Sequence, residues 1–153
     1  QYYQDVLTKT YDRRYFEEVV KSMNNVKALA MINANEFKEI NDHFGHAAGD
    51  DALKTLSKAI KDCIRKDDYL IRYGGDEFVL VLQDIEYDDF RNLLNRISDH
   101  VRNVFVYDDI QLSVTIGGIY NIQNIDEALA YAGKLMYKGK KEKNSVVIES
   151  ESD

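Results

Sequence analysis

The chain's 153 residues, 44 % hydrophobic and 31 % charged, have the balance of one ordinary globular domain, 1–153, with a single core. A formal net charge of −7 excludes a broad electrostatic grip on nucleic acid, whose phosphates are held by Lys and Arg; a small anionic ligand would need metal ions or local donors to offset the acidic background. The single cysteine excludes an internal disulfide, and with neither an apolar run of about 20 residues nor a signal-peptide start, the expected domain is soluble, cytoplasmic and without direct membrane contact.

Near the amino terminus, Phe16, Val19, Val20 and Met23 recur at helical spacing. The mostly apolar run from Val26 to Ile32 predicts a buried strand that turns polar abruptly at Asn33. Phe44-Gly45-His46-Ala47-Ala48-Gly49-Asp50 leads into a second helix carried by Leu53, Leu56, Ile60 and Ile64, with Asp50 at its start as a cap or a complement to the helix dipole. Cys63, among those apolar positions, is expected to be a buried thiol and not a nucleophile. Tyr69 to Tyr73 and Phe78 to Leu82 flank Gly74-Gly75, which predicts a hairpin whose glycines supply positive φ.

Phe90, Leu93, Leu94, Ile97 and Val101 mark a third helix, and Ile110, Leu112, Val114 and Ile116 alternate as one strand. Ile125, Leu129, Ala132 and Met136 mark a fourth helix, and Ser145 to Ile148 a short closing strand. This order contains the βαββαβ pattern of a ferredoxin-like α+β core, a mixed antiparallel sheet of about five strands with helices packed on it. No proline, repeat or low-complexity stretch marks an internal boundary.

Three segments carry residues suited to chemistry. Arg72-Tyr73-Gly74-Gly75-Asp76-Glu77-Phe78 places two adjacent carboxylates at a hairpin, a suitable holder for a hard cation such as magnesium; taken alone, the string also fits a solvated turn. The stretch from Asn33 to Asp42 begins at the end of a buried strand, where ligand groups are commonly held, and Gly45-His46-x-x-Gly49-Asp50 enters a helix. His43, His46 and His100 have no zinc-ligand spacing, and no Ser-His-acid or P-loop pattern occurs.

Together these strings are specific. Phe37-Lys38-x-Ile40-Asn41-Asp42, Gly45-His46-x-x-Gly49-Asp50 and Arg72 to Phe78 stand in the order and spacing of a known family. Asp5-x-Leu7-Thr8, Arg13-Arg14-Tyr15-Phe16, Ser113-x-Thr115-Ile116-Gly117 and Ala132 to Lys140 extend the match over roughly Asp5 to Val147. The chain resembles the GGDEF domain of bacterial diguanylate cyclases, which condense two GTP molecules into cyclic di-GMP.

The resemblance implies a palm-like fold, binding of one GTP per domain with two Mg²⁺ or Mn²⁺ ions, and a homodimer with facing sites. It places Asp76, Asn33 and Ala34 on metal positions, with Asp76, Glu77 and Lys140 forming the catalytic set. Asn41 and Asp50 match the guanine-reading pair, and Glu36, Phe37 and Lys38, with Lys140, the phosphate-contacting set. Arg65 and Asp68 match the inhibitory site that holds cyclic di-GMP; alone, the motif also fits solvated charges at a helix end. The resemblance further implies a larger signalling protein with an N-terminal sensory domain, whose anchoring in a membrane is left open.

Four positions depart from the family pattern. Asn33 replaces a metal-ligating aspartate and Asn35 a frequent second acid, which impairs catalysis more than recognition. Lys9 stands where glycine is frequent, and Lys143-Asn144 replaces a Gly-Arg-Asn string, removing a phosphate-side arginine. The expectation is therefore a cyclase, weakened at Asn33; the alternative is a silent domain that binds GTP or cyclic di-GMP and passes the signal on.

Overall fold

The computed structural model describes residues 2–151; Gln1, Ser152 and Asp153, the ends of the expected 1–153 domain, lie outside the described residues. Helix α1 (Arg13–Glu18) starts where the Asp12 side chain accepts a hydrogen bond from the Tyr15 amide. It stops at Glu18, before the expected Met23, and a short 3₁₀ turn, Val20–Ser22, continues the chain. The adjoining β-branched pair Val19-Val20 lowers helix propensity there.

Strand β1 (Ala28–Ala34) is buried along its whole length. The polar stretch after it forms a helix of its own, α2 (Phe37–Phe44), not expected above; Phe37, Ile40 and Phe44 stand at helical spacing, but over only two turns. Gly45, at φ 92°, ends α2 and begins α3 (His46–Lys61). Asp50 therefore lies inside α3, not at its start, and the position before the helix belongs to Gly45. Cys63 is half-buried, and burial pushes its thiol up, away from thiolate chemistry.

Strands β2 (Tyr69–Arg72) and β3 (Glu77–Leu82) form the expected hairpin, but neither glycine in its turn has positive φ. The amides of Tyr73 and Gly74 instead donate to the Glu77 carbonyl at 2.8 and 3.2 Å, closing the turn with ordinary backbone angles. Helix α4 (Tyr87–Arg102) follows. The single strand expected from Ile110 to Ile116 is divided: β4 (Phe105–Val106) and β5 (Ile110–Gln111) make a small hairpin, and β6 (Val114–Tyr120) joins the main sheet. Tyr107 and Asp108 at its turn are both left-handed without glycine, so composition gave no turn signal.

Helix α5 (Ile125–Glu142) begins with Asn124 accepting from the Glu127 amide and leads into β7 (Val146–Ser150). The main sheet has the order β2-β3-β1-β6-β7, antiparallel except for the β6–β7 pair, so the expected α+β core is present. Alternation along β1 divides two cores. Ala28, Ala30 and Ile32 face α2, α3 and α4; Leu29 and Met31 face α1 and α5. Among the described residues no helix is long and apolar enough to cross a membrane.

Candidate active site

Asn33 continues the alternation of Leu29 and Met31 and so takes the α5 face, one turn of the pleat from the strand's end. Its cross-strand partners are Glu77 on β3 and Thr115 on β6, which gives a polar row, Glu77–Asn33–Thr115, on an otherwise apolar face. Asn33 is buried, and its Nδ2 donates at 3.5 Å to the main-chain carbonyl of Asp76, which also accepts from the Ala34 amide at 2.9 Å. Three predicted metal positions, Asn33, Ala34 and Asp76, are thus brought together.

The Asn33 Oδ1 has no hydrogen-bond partner. An unpaired buried acceptor costs about 1–3 kcal/mol, which a bound cation would offset. A hard ion with oxygen ligands suits this atom and the half-buried carboxylates of Asp76 and Glu77. The donor set is thin, however. No group of three His, Cys, Asp or Glu positioned for a metal occurs among the described residues.

The turn presenting Asp76 is held from below. Arg72 donates to the Gly75 carbonyl at 2.9 Å and pairs with Asp5 at 3.3 Å. Burial raises the Asp5 carboxyl, but the Thr8 hydroxyl and amide, then Arg72, outweigh it and leave Asp5 below the usual carboxylate range. A side chain at Gly74 would come within 2.9 Å of the Glu77 carboxylate, whereas one at Gly75 would meet open space. Neither a positive φ nor crowding within the chain therefore demands glycine at 75.

Beside the row lies a cleft of ≈ 610 Å³ lined by Glu36, Glu39, Lys140 and Lys143 with Asn35 and Thr115. Asn35 donates to Ser113 Oγ at 3.1 Å and accepts from Thr115 Oγ1 at 2.8 Å, which pins the end of β1 to β6. Glu36 is left-handed, φ 57°, and turns the chain into α2, whose first amides open beside it. Gly117 brings α5 in. A Cβ there would stand 2.1 Å from the Ala132 carbonyl oxygen, so only glycine admits this helix close enough to carry Lys140 to the cleft.

Lys38 is placed differently: it projects into solvent and pairs with Asp42 at 3.0 Å, while Phe37 is half-buried at the start of α2. Asn41 packs over Gly49, where a Cβ would meet its Oδ1 at 1.8 Å, and the exposed Asp50 is the next residue along α3. Arg65 and Asp68 close the end of α3, the Arg65 amide donating to Asp68 at 2.8 Å. Burial raises the Asp68 carboxyl, partly offset by that amide.

Both residues line two clefts. One, of ≈ 350 Å³, adds Arg96, which donates to the Cys63 carbonyl at 2.7 Å; the other, of ≈ 390 Å³, adds Lys9, Tyr11, Lys61 and Lys66. Arg96 is a site-lining residue absent from the sequence reading and carries no local motif. Thr115 and Lys143 appear there only within the Ser113-x-Thr115-Ile116-Gly117 match and the Lys143-Asn144 departure, with no place in the site, and both were within reach.

A model of the diguanylate cyclase GGDEF domain matches residues 2–145. The chain belongs to that family. Its GGDEF domain is 35 % identical over 148 residues to the diguanylate cyclase DosC of Escherichia coli strain K12, covering 84 % of this chain and 32 % of DosC. The chain thus spans about a third (32 %) of that relative's length. A GGDEF-only form of PA1120 (TpbB or YfiN) from Pseudomonas aeruginosa superposes with a TM-score of 0.86 at 26 % identity, covering 97 % of this chain and 94 % of that one. The diguanylate cyclase SiaD of the same organism, solved with its activator SiaC, gives 0.85 at 26 % identity, over 95 % of this chain and 61 % of SiaD.

Proposed function

We propose that this GGDEF domain binds GTP at the end of β1 and, as a pair of domains, condenses two GTP molecules into cyclic di-GMP at a rate lowered by Asn33. The observation that carries the reading is the buried, unpartnered Asn33 Oδ1 beside Asp76 and the lysine-bearing cleft. Asn41 and Asp50 offer an amide and a carboxylate to the donor and acceptor edge of guanine. Lys140 and the first amides of α2 hold the phosphates.

Asn33, the Ala34 main chain and Asp76 would hold magnesium or manganese, which withdraws charge from phosphoryl oxygens when bound. In the reaction, the 3′-oxygen of one GTP bonds to the α-phosphorus of the other. The bond from that phosphorus to the bridging oxygen breaks and pyrophosphate leaves; the reciprocal attack by the other 3′-oxygen then closes the ring and releases a second pyrophosphate. Glu77, next to Asp76 and opposite Asn33, is a carboxylate able to take the hydroxyl proton. Arg65 and Asp68, with Arg96, form the product-binding arm.

The second reading, a silent domain that binds GTP or cyclic di-GMP for an attached partner, is favoured by one observation: the centre of the polar row is neutral. The test is incubation at high protein concentration with GTP and Mg²⁺ or Mn²⁺, with cyclic di-GMP followed by chromatography beside Asn33→Asp. The expected outcome is slow turnover by the wild type and at least tenfold faster turnover by the variant, about 1.4 kcal/mol of barrier. Turnover by the variant alone would establish the silent reading, and turnover by neither folded, dimeric protein would overturn the cyclase assignment.

A further inference from the structure

We propose that Lys143 is a second triphosphate-binding cation of the β1-end cleft, acting beside Lys140; the inference rests on the reading of that cleft as a GTP site. Both lysines line the same ≈ 610 Å³ space. Neither ammonium group has a hydrogen-bond or ion-pair partner among the described residues, whereas those of Lys21 and Lys38 are paired with carboxylates.

The backbone at Lys143 makes its side chain conspicuous. It is the C-cap of α5 in the left-handed conformation, φ 58° and ψ 36°, which a residue with a Cβ adopts less readily than glycine. Attraction to the helix's carbonyl end suits any lysine in this turn, but Lys140 and Lys141 already supply that charge. The helix end therefore does not explain a lysine at the one position that favours glycine.

Charge in the cleft supplies the reason. Lys140 and Lys143 face Glu36 and Glu39, two cations against two anions. Without Lys143 the balance becomes one against two, and a polyphosphate approaches a net negative wall. Asn144, next along the same wall, is neutral and cannot replace the charge.

The test is calorimetric titration of wild type, Lys143→Gly and Lys143→Arg with GTP and with inorganic tripolyphosphate in Mg²⁺ buffer. Glycine fits the left-handed turn, so Lys143→Gly should melt no lower than wild type and any lost affinity reports the ammonium. The expected result is about tenfold weaker binding of both ligands by Lys143→Gly and recovery in Lys143→Arg. Equal GTP affinity in wild type and Lys143→Gly, or no recovery with arginine, overturns the role of Lys143 and leaves the GTP reading standing. A wild type that binds tripolyphosphate through Lys143 but not GTP overturns the guanine-nucleotide reading and keeps the lysine.

Discussion

Asp5 and Arg72 lie far apart in sequence, yet their pair decides how firmly the acidic turn is held, because the same guanidinium reaches the Gly75 carbonyl. Both side chains are about one-fifth exposed (21 % and 20 %), so the pair is screened less than a surface bridge. Asp5→Asn should cost roughly 1–2 kcal/mol in urea unfolding. The pH dependence has a definite sign: a carboxyl depressed in the folded state stabilises fully above its unfolded value of about 3.9, and that contribution disappears as pH falls through the lower folded value. The gap between wild type and Asp5→Asn should therefore start to narrow only below about pH 4 and close once the pH is below the folded value; a gap unchanged through that whole acid range would deny the charge any part in it.

Among elements, the contact of α5 with β6 carries Lys140 to the strand end, and Gly117 sets its distance. Gly117→Ala would press a methyl against the backbone of Ala132 and Met136, which cannot yield as a flexible side chain does. We expect a loss of about 2 kcal/mol or more in chemical denaturation and weaker GTP binding in the protein that remains folded. Unchanged stability would show that α5 can slide without cost.

The elements legible in the sequence were those with a long apolar period. The α3, α4 and α5 stripes and β1 needed no tertiary information. The short α2 escaped because its three apolar residues, Phe37, Ile40 and Phe44, span barely two helical turns, and the β4–β5 hairpin because Tyr107-Asp108 turns the chain without glycine. Motif spacing named Asn33, Asp76, Asn41 and Asp50, which the fold brings to one end of the sheet or the helix pair beside it. It could not reveal that Arg96 comes beside Arg65, since that depends on how α3 and α4 meet, whereas the Lys38–Asp42 pair is an i,i+4 contact within α2 and follows once that helix is assigned.

For the molecule as a whole, the proposed function seats one nucleotide in each domain's cleft at the end of β1, while the reaction joins two. The rate of cyclic di-GMP formation per domain should consequently rise with protein concentration, and fusion to a dimerising coiled coil should remove that dependence. Initial rates measured across a hundredfold dilution, about two decades, would decide the matter; a flat profile for the unfused domain would mean that a lone domain completes the reaction.

Strand β7 is hydrogen-bonded to the sheet along one side only, and the link that leads into it, Asn144-Ser145, forms part of the cleft wall. The Ile116 amide holds that link through the Ser145 carbonyl at 2.7 Å. Tension applied through β7 would thus peel the outermost strand and unmake the phosphate wall while the central strands stayed paired. Hydrogen exchange would register the same coupling in reverse: a nucleotide seated against this wall would slow exchange at the Ile116 and β7 amides, so the sheet's loosest edge would report occupancy.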